Sequence, residues 1–514
     1  MSRHDPVIIA LLILGGVLLL AHLDNGVLWQ DEAETALLAR HTLTFGYPRA
    51  CDERNCLEEP LGYGRGQTWI YHPWLTFYVL AGVFAVLGES TWTARLPFAL
   101  LGWLNLGLVW RLACRLTEDR RIHRLSVALL ALSVPFLLSM RQCRYYALTT
   151  ALLLGVCLAY LSVLRRPSLK ALLALGVALT LLFYTNFGTF LPTLGAVIVH
   201  QARWGTRAMR FGVMVTLALV IGLTLPWALV AYRPGFLGEP SVERVYRHLE
   251  YYVRITNKHL IPLAALAVLS WPWLAQGWGW LGGAWRRLWS APDRSWLILL
   301  VVLHVGFLVV PNQRHLRYLM PLVPLLAVGE AWWLAAWQRR SRVLGSVFAA
   351  LILFTNVLQS PHARVPLADF LYELTHPIIG PMDGVVAYLR AHGQPDQVAK
   401  IPYDDRTLMF YTPLRVEPPS QFLRETDPDW VIIRRGWIPP QFFESPSFRR
   451  MEASYERVEL DAPDTYWQNR EDPGEHHFRT VRDAPPRRDL QEEGAGRWVN
   501  RSCRSSSPRT TRLT

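Results

Sequence analysis

Residues 7–23 read VIIALLILGGVLLLAHL, and residues 29–48 read WQDEAETALLARHTLTFGYP. The first stretch is about as long as a bilayer crossing requires, roughly 20 residues at helical rise. It runs into His22, Leu23, Asp24 and Asn25 without a small-x-small cleavage site, so it reads as an uncleaved membrane helix rather than a removed signal. In the second stretch Ala33, Ala36, Leu37 and Leu43 recur near helical period, and Gly46 to Pro48 ends the pattern. That predicts an amphipathic helix on the outer membrane face. Asp31 and Glu32 open it. Asp31 can be the N-cap, with Glu32 and Glu34 complementing the helix dipole; a carboxylate held at the lipid–water boundary can also act as a general base. A cap fixes the carboxylate, so the two roles are compatible.

Working outward, the 514-residue chain is 51% hydrophobic and 18% charged, whereas a soluble globular chain carries about 25% charged residues. Apolar stretches follow at about 73–88, 94–114, 125–140, 147–164, 169–185, 188–202, 211–232, 259–281, 296–310, 318–338 and 343–358. Every second connection is basic: Arg111 to Arg124, Arg165 to Lys170, Arg203 to Arg210, Arg286 to Arg294, and Arg339 to Arg342. This is the positive-inside pattern and places those connections in the cytoplasm. The loop at 24–72 holds eight acids against four Arg and should face outward. Parity between this loop and the basic connection at 115–124 then requires that one of 73–88 and 94–114 not cross, and 73–88, opened by His72 and Pro73, is the shorter of the two. A helix of that length suits an interfacial or re-entrant position. The expected fold class is therefore an all-α polytopic membrane protein of about eleven to thirteen transmembrane helices plus juxtamembrane helices, with eleven crossings as the count from parity.

The expected domains are a membrane domain over 1–358, including an outward loop with juxtamembrane helices at 24–90, a small soluble α/β domain at 359–478, and a disordered basic tail at 479–514. Within 359–478, Asp383 is expected to cap a helix over 384–392, with short strands at 397–401 and 430–433. Cys51 and Cys56 lie close enough in CDERNC for either a disulfide or free thiols. The net charge of +13 comes without any nucleic-acid-binding motif, so membrane topology and phosphate-bearing lipids account for it better than nucleic acid does.

The order DEAETALLARHTLTFGYP, YHPWLTFYVLAGVFAVLGES, TARLPFALLG, and later RYLMPLVPLL at 317–326 resembles the GT-C glycosyltransferases of family 39 type, the protein O-mannosyltransferases and lipid A aminoarabinose transferases. The resemblance covers residues 1–200 best. It implies a GT-C fold and inverting transfer of one sugar from a polyprenyl-phosphate donor to a lipid, glycan or protein acceptor. The setting implied is the periplasmic face of a bacterial inner membrane, with the N-terminus cytoplasmic and the C-terminal domain periplasmic. Asp31 matches the family's catalytic base and Glu32 its neighbour, and His72 stands where relatives carry His or Lys before Pro. No cofactor is required and a divalent metal is optional.

A lipid-phosphate leaving group calls for cations on outward connections, since Arg offers forked donors to phosphate. The candidates are Arg317 first and Arg144 second, then Arg314 and His315, and less centrally Arg254 and Lys258. Arg residues also snorkel at helix ends. Relatives often carry a second acid where this chain has Gln142 and Cys143 in SMRQCRYYAL, which speaks against a tightly held hard cation. His304 and Glu330 lie within apolar runs, where a structural partner is the expectation. The alternative class is a transporter or lipid flippase. Such proteins place ionisable groups at mid-membrane on broken helices, whereas here most charges sit in connections.

Overall fold

The computed structural model describes residues 5–58, 63–231, 241–264, 266–267, 271, 291–311, 313–353, 366–376, 381–422, 426, 428–433, 440–458, 460 and 498–502. Most of the apolar stretch expected at 259–281, the basic residues Arg233, Arg286 and Arg287, and most of the tail expected to be disordered lie outside the described residues. The chain divides into two compact units, the described parts of the first lying within residues up to Leu23 and Trp69–Thr375 and those of the second within Asp24–Thr68, His376–Asn469 and Arg479–Thr514.

The first unit is helical. α1 (Pro6–Leu20) starts at Asp5, whose side chain accepts from the Val7 N–H at 3.1 Å, with Pro6 at the first position, where a missing N–H costs nothing. After α2 (Gln30–Phe45), which belongs to the second unit, come α3 (Leu75–Leu87), α4 (Thr91–Leu116), α5 (Arg120–Ala131), α6 (Val134–Met140), α7 (Tyr146–Arg165), α8 (Leu169–Phe183), α9 (Phe187–Trp204), α10 (Arg207–Ala231) and α11 (Val242–His259). α12 (Pro292–Leu308), a 3₁₀ turn at Leu316–Leu322, α13 (Val323–Arg340), α14 (Arg342–Leu353) and α15 (Pro366–Thr375) complete it. Exposed apolar stripes such as Leu169, Leu173 and Val177 on α8 recur every four residues, the surface that lipid chains cover.

Among the described residues four helices are long and apolar enough to cross a membrane alone, or five if the bent pair α5–α6 is one span. The stretch read as one crossing at 125–140 is broken at Leu132–Ser133 and bends by 63°. Pro135 explains the break, because its ring cannot donate and clashes with a continuing helix upstream. α3 has 13 residues, or about 20 Å at helical rise, well short of a bilayer core.

Ion pairs fix which helix ends share one end of the bundle. Arg124 at the start of α5 meets Asp5 at 3.0 Å, Arg339 at the end of α13 meets Asp119 at 3.0 Å, and Arg165 at the end of α7 meets Asp293 at 3.1 Å. All of these lie on connections that the charge pattern assigns to one side. At the other end, Arg95 of α4 donates to the Leu23 carbonyl at 3.0 Å, and Arg141, just past α6, donates to Leu18 and Leu19 of α1 at 2.8 and 3.1 Å and to His22 at 3.1 Å. Both guanidinium groups are buried, and they satisfy the carbonyls that a helix C-terminus leaves without partners.

The second unit joins α2 and its following loop to α16 (Pro381–His392), β1 (Val398–Lys400), α17 (Asp405–Tyr411), β2 (Arg415–Glu417), β3 (Trp430–Ile433), α18 (Pro446–Ser454), β4 (Tyr455–Val458) and β5 (Trp498–Ser502). The sheet order is β2-β1-β3-β5-β4. β1 lies parallel to β2 and β3, and β5 antiparallel to β3 and β4. Phe422, Val431, Ile433 and Phe448 form an apolar core there. Two expectations are corrected. Asp383 is not a cap for 384–392: the helix starts at Pro381, a residue suited to a first turn, and Asp383 instead accepts the Val27 N–H at 2.9 Å. In the tail expected to be disordered from 479, Trp498–Ser502 forms a strand because β3 and β4 supply hydrogen-bonding edges on both sides.

Candidate active site

α2 differs from the expected surface helix. Trp29, not Asp31, is the N-cap, and the Glu32 carboxylate accepts the Trp29 N–H at 3.4 Å. Asp31 is therefore the second helical residue. From Glu32 to Ala39 every side chain is buried, Glu32 at 1% and Glu34 at 2% exposure. Asp31 is half-buried and is the most open position of this first turn. An amphipathic helix with one wet face is thus corrected to a helix buried on most sides, because charged Glu34 and polar Gln30 are taken up by protein groups rather than by water. The αL geometry of Gly46, φ +80°, ends the helix where the sequence places its stop.

Gln30 and Glu34 share one face, one turn apart, and Asp31 lies about 100° round the helix from Gln30. The Gln30 amide donates to Asp405 Oδ1 at 2.6 Å and accepts the Arg406 N–H at 3.3 Å. Arg406 is ion-paired with Glu34 and donates to the Glu58 carbonyl at 2.8 Å. Burial pushes the Asp405 carboxyl up, against the opposing pull of Arg406 and the Gln30 amide. Beyond α2, Cys51 and Cys56 form a disulfide. His41 faces the Arg49 carbonyl at 2.7 Å through Nδ1 and Asp52 at 3.5 Å through Nε2. Burial alone would raise Asp52; the His41 side chain and the backbone N–H groups of Asn55 and Arg54 outweigh it and hold the carboxyl at about 2.

In the first unit the α6–α7 turn gathers several of the expected cationic groups. The His72 ring lies 6.1 Å from that of Tyr145 and stacks on Trp69 at 6.2 Å, while the Arg144 guanidinium is 5.3 Å from the Tyr145 ring. His72 and Arg144 are therefore brought together, and Arg144 is only 4% exposed. Gln142 beside it is also buried, with neither amide atom hydrogen-bonded. The turn at Leu316–Leu322 packs against α6 and α7, and Arg317 and His315 both lie against Tyr318 there. Arg314 is placed differently: it donates to the Arg247 carbonyl of α11 at 2.9 Å and lies 5.3 Å from the Tyr251 ring. On α11 itself Arg254 lines a groove with Tyr246, Leu249 and Val253. Lys258 lies in its last turn.

His304 has the structural partners expected of it, the Leu300 carbonyl at 2.8 Å and Thr193 at 3.4 Å. Glu330 lines a small cavity of about 40 Å³ with Ser133 and His259. Among the described residues no three His, Cys, Asp or Glu side chains gather as a metal site. Sequence reasoning missed Arg95, Arg141 and Arg406. The first two carried a signal, Arg beside an apolar run; Arg406 carried none that linked it to a helix 372 residues earlier.

Residues 71–228 match the family described as dolichyl-phosphate-mannose-protein mannosyltransferase. An undecaprenyl phosphate-alpha-4-amino-4-deoxy-L-arabinose arabinosyl transferase of Pectobacterium carotovorum is 24% identical over 398 residues, covering 74% of this chain and 69% of that one. The crystal structure of ArnT from Cupriavidus metallidurans in the apo state superposes with a TM-score of 0.60 at 14% identity, covering 89% of this chain and 97% of that one. The fold is the GT-C fold. The same ArnT bound to undecaprenyl phosphate gives a TM-score of 0.55 at 14% identity over 89% of this chain and 96% of that one. These matches bear out the family 39 resemblance, and a GT-C transferase is favoured over a transporter or flippase.

Proposed function

We propose that this GT-C protein moves one sugar from a polyprenyl-phosphate donor to a lipid, glycan or protein acceptor at the periplasmic face of the inner membrane, with inversion at the anomeric carbon. The observation that carries the reading is the match to ArnT over most of both chains, one of its structures holding undecaprenyl phosphate. Asp31 takes the proton of the acceptor hydroxyl. The acceptor oxygen bonds to the anomeric carbon as the carbon–oxygen bond to phosphate breaks, and polyprenyl phosphate leaves with the electron pair. Asp31 suits the base because it is the one residue of the first turn that is not fully buried. Glu32, committed to the Trp29 N–H, steadies that turn.

For the phosphate the reading takes Arg317 and Arg144, with His72 and His315 beside them. Charge developing on the leaving oxygen is stabilised best by donors already in place, and the burial of Arg144 supports such preorganisation. Arg314 contributes through α11 rather than at the phosphate. The lack of an acid at Gln142 and Cys143 supports transfer without a resident divalent metal. The ion pairs joining the ends of α5, α7 and α13 to neighbouring helices gather basic ends at one end of the bundle, which supports a single basic, cytoplasmic side; the charge pattern and parity add eleven crossings, a cytoplasmic N-terminus and an outward C-terminal α/β domain to the reading. The test is purified protein in lipid with a panel of undecaprenyl-phosphate pentoses and hexoses, followed by mass spectrometry of envelope glycolipids with and without the gene. Transfer from none of the panel and an unchanged glycolipid profile refute the reading.

A further inference from the structure

The helix that carries Asp31 has no side-chain cap at Trp29, and its first turn is held from elsewhere in the sequence. Leu28, just before it, donates its N–H to the Tyr411 hydroxyl and accepts from Thr407 Oγ1, both at 3.0 Å. Both polar ends of the Gln30 amide are taken by Asp405 and the Arg406 N–H. Glu34, one turn on, is paired with Arg406. Near the other end, Arg40 donates to the Phe410 carbonyl at 3.1 Å and lies 4.5 Å from the Phe410 ring. Every one of these partners lies on α17 of the C-terminal segment.

We propose that α17 is the positioning element for Asp31 and that Arg406, through Glu34 and the Glu58 carbonyl, is its chief positioning residue. The inference rests on Asp31 being the base, and it assigns the C-terminal segment a part in the reaction. A buried ion pair adds little net stability, because desolvation offsets much of the attraction. It does fix geometry, since the planar guanidinium fork satisfies two acceptors in set directions. Arg406 uses that fork on two different segments, the Glu34 carboxylate and the Glu58 carbonyl. Gln30 and Glu34 occupy one face, and Asp31 lies about 100° away from it, so the anchors fix the turn that carries it. A misplacement of about 1 Å in a reacting group costs on the order of 10²-fold in rate, so loosening this clamp should lower turnover without touching donor binding.

The test is a double-mutant cycle in the full-length protein, Glu34→Gln and Arg406→Met with the double variant, measuring kcat and donor KM with the undecaprenyl-phosphate sugar that the panel identifies. Each single variant should lower kcat by about 30-fold or more with donor KM within about threefold, and the double should be no worse than the poorer single, the signature of coupled sites. Arg406→Lys, which keeps the charge and loses the fork, should fall between. Additive effects on kcat, or singles that change donor KM alone, overturn the proposal. If Arg406→Met does not yield monodisperse protein, Arg406→Lys carries the test: reduced kcat at unchanged KM supports it and unchanged kcat overturns it. Asp31→Asn measured alongside separates the two readings. An active Asp31→Asn refutes the base whatever the cycle gives, while an inactive one with additive Glu34 and Arg406 effects refutes the positioning alone.

Discussion

Arg141 donates to the Leu18 and Leu19 carbonyls at 2.8 and 3.1 Å, closing the last turn of α1 from the end of α6, more than a hundred residues later. Its ring-side neighbour is Phe370 of α15, 5.8 Å away. Hydrogen bonds to a charged group contribute about 1.5–3 kcal/mol each and leave a penalty when a buried acceptor loses its donor. Arg141→Ala should therefore destabilise the first unit by about 3 kcal/mol. Thermal unfolding in detergent that leaves the midpoint unchanged would contradict this role.

Asp31→Asn should cut transfer severely without lowering the yield of folded protein. General base catalysis accounts for about 10²–10⁴ in rate, so residual turnover should fall in that range below the parent. The half-buried setting of Asp31 makes the isosteric change tolerable to the fold. Wild-type kcat in this variant, with matching melting temperature, sinks the mechanism.

Arg144→Ala and Arg317→Ala should mainly weaken the hold on polyprenyl phosphate, by about tenfold or some 1.4 kcal/mol. Arg314→Ala should have a smaller effect on that affinity, since its guanidinium is engaged with Arg247 and Tyr251. Binding of undecaprenyl phosphate to purified variants ranks the three, and a larger loss for Arg314→Ala than for Arg144→Ala reverses the assignment.

The loop around the disulfide should weaken in acid. Asp52 is lowered from its ordinary 3.8 to about 2, so its stabilising contribution is fully present above the unfolded value and is lost as pH falls through the folded one. The full shift corresponds to about 2 kcal/mol, reduced by partial exposure to about 1. Asp52→Asn should thus cost about that much at neutral pH and almost nothing near pH 2. A penalty that stays constant with pH removes the electrostatic explanation.

Chelation should leave transfer intact. EDTA-treated protein with full turnover, and no stimulation on adding magnesium, manganese or zinc, is the expected outcome; a metal-restored loss of activity counts against the metal-free reading.

Much of the membrane part was legible because a bilayer imposes a length and a charge rule on local sequence. α1 and the stop at Gly46 lie close to where periodicity and composition put them, and β3 coincides with the short β-branched run at 430–433. What escaped reading depends on distant partners. Trp29 caps α2 without a capping side chain, so nothing local demoted Asp31 from that position. The helix looked amphipathic because Gln30, Glu34 and Arg40 are polar, and only the fold shows that Asp405, Arg406 and Phe410 take them up. Pro135 and Pro381 were local signals for the break after α5 and for the start of α16, and both outweigh the pattern around them.

The unit that carries Asp31 is assembled from two stretches of chain whose bonded residues, such as Glu34 and Arg406, stand 372 positions apart. During synthesis the early stretch emerges long before its partner exists. Until then the first helix after α1 lacks every anchor on α17. If α17 positions Asp31 as proposed, a chain that stops before Asp405 keeps the helix and loses the contacts that set it.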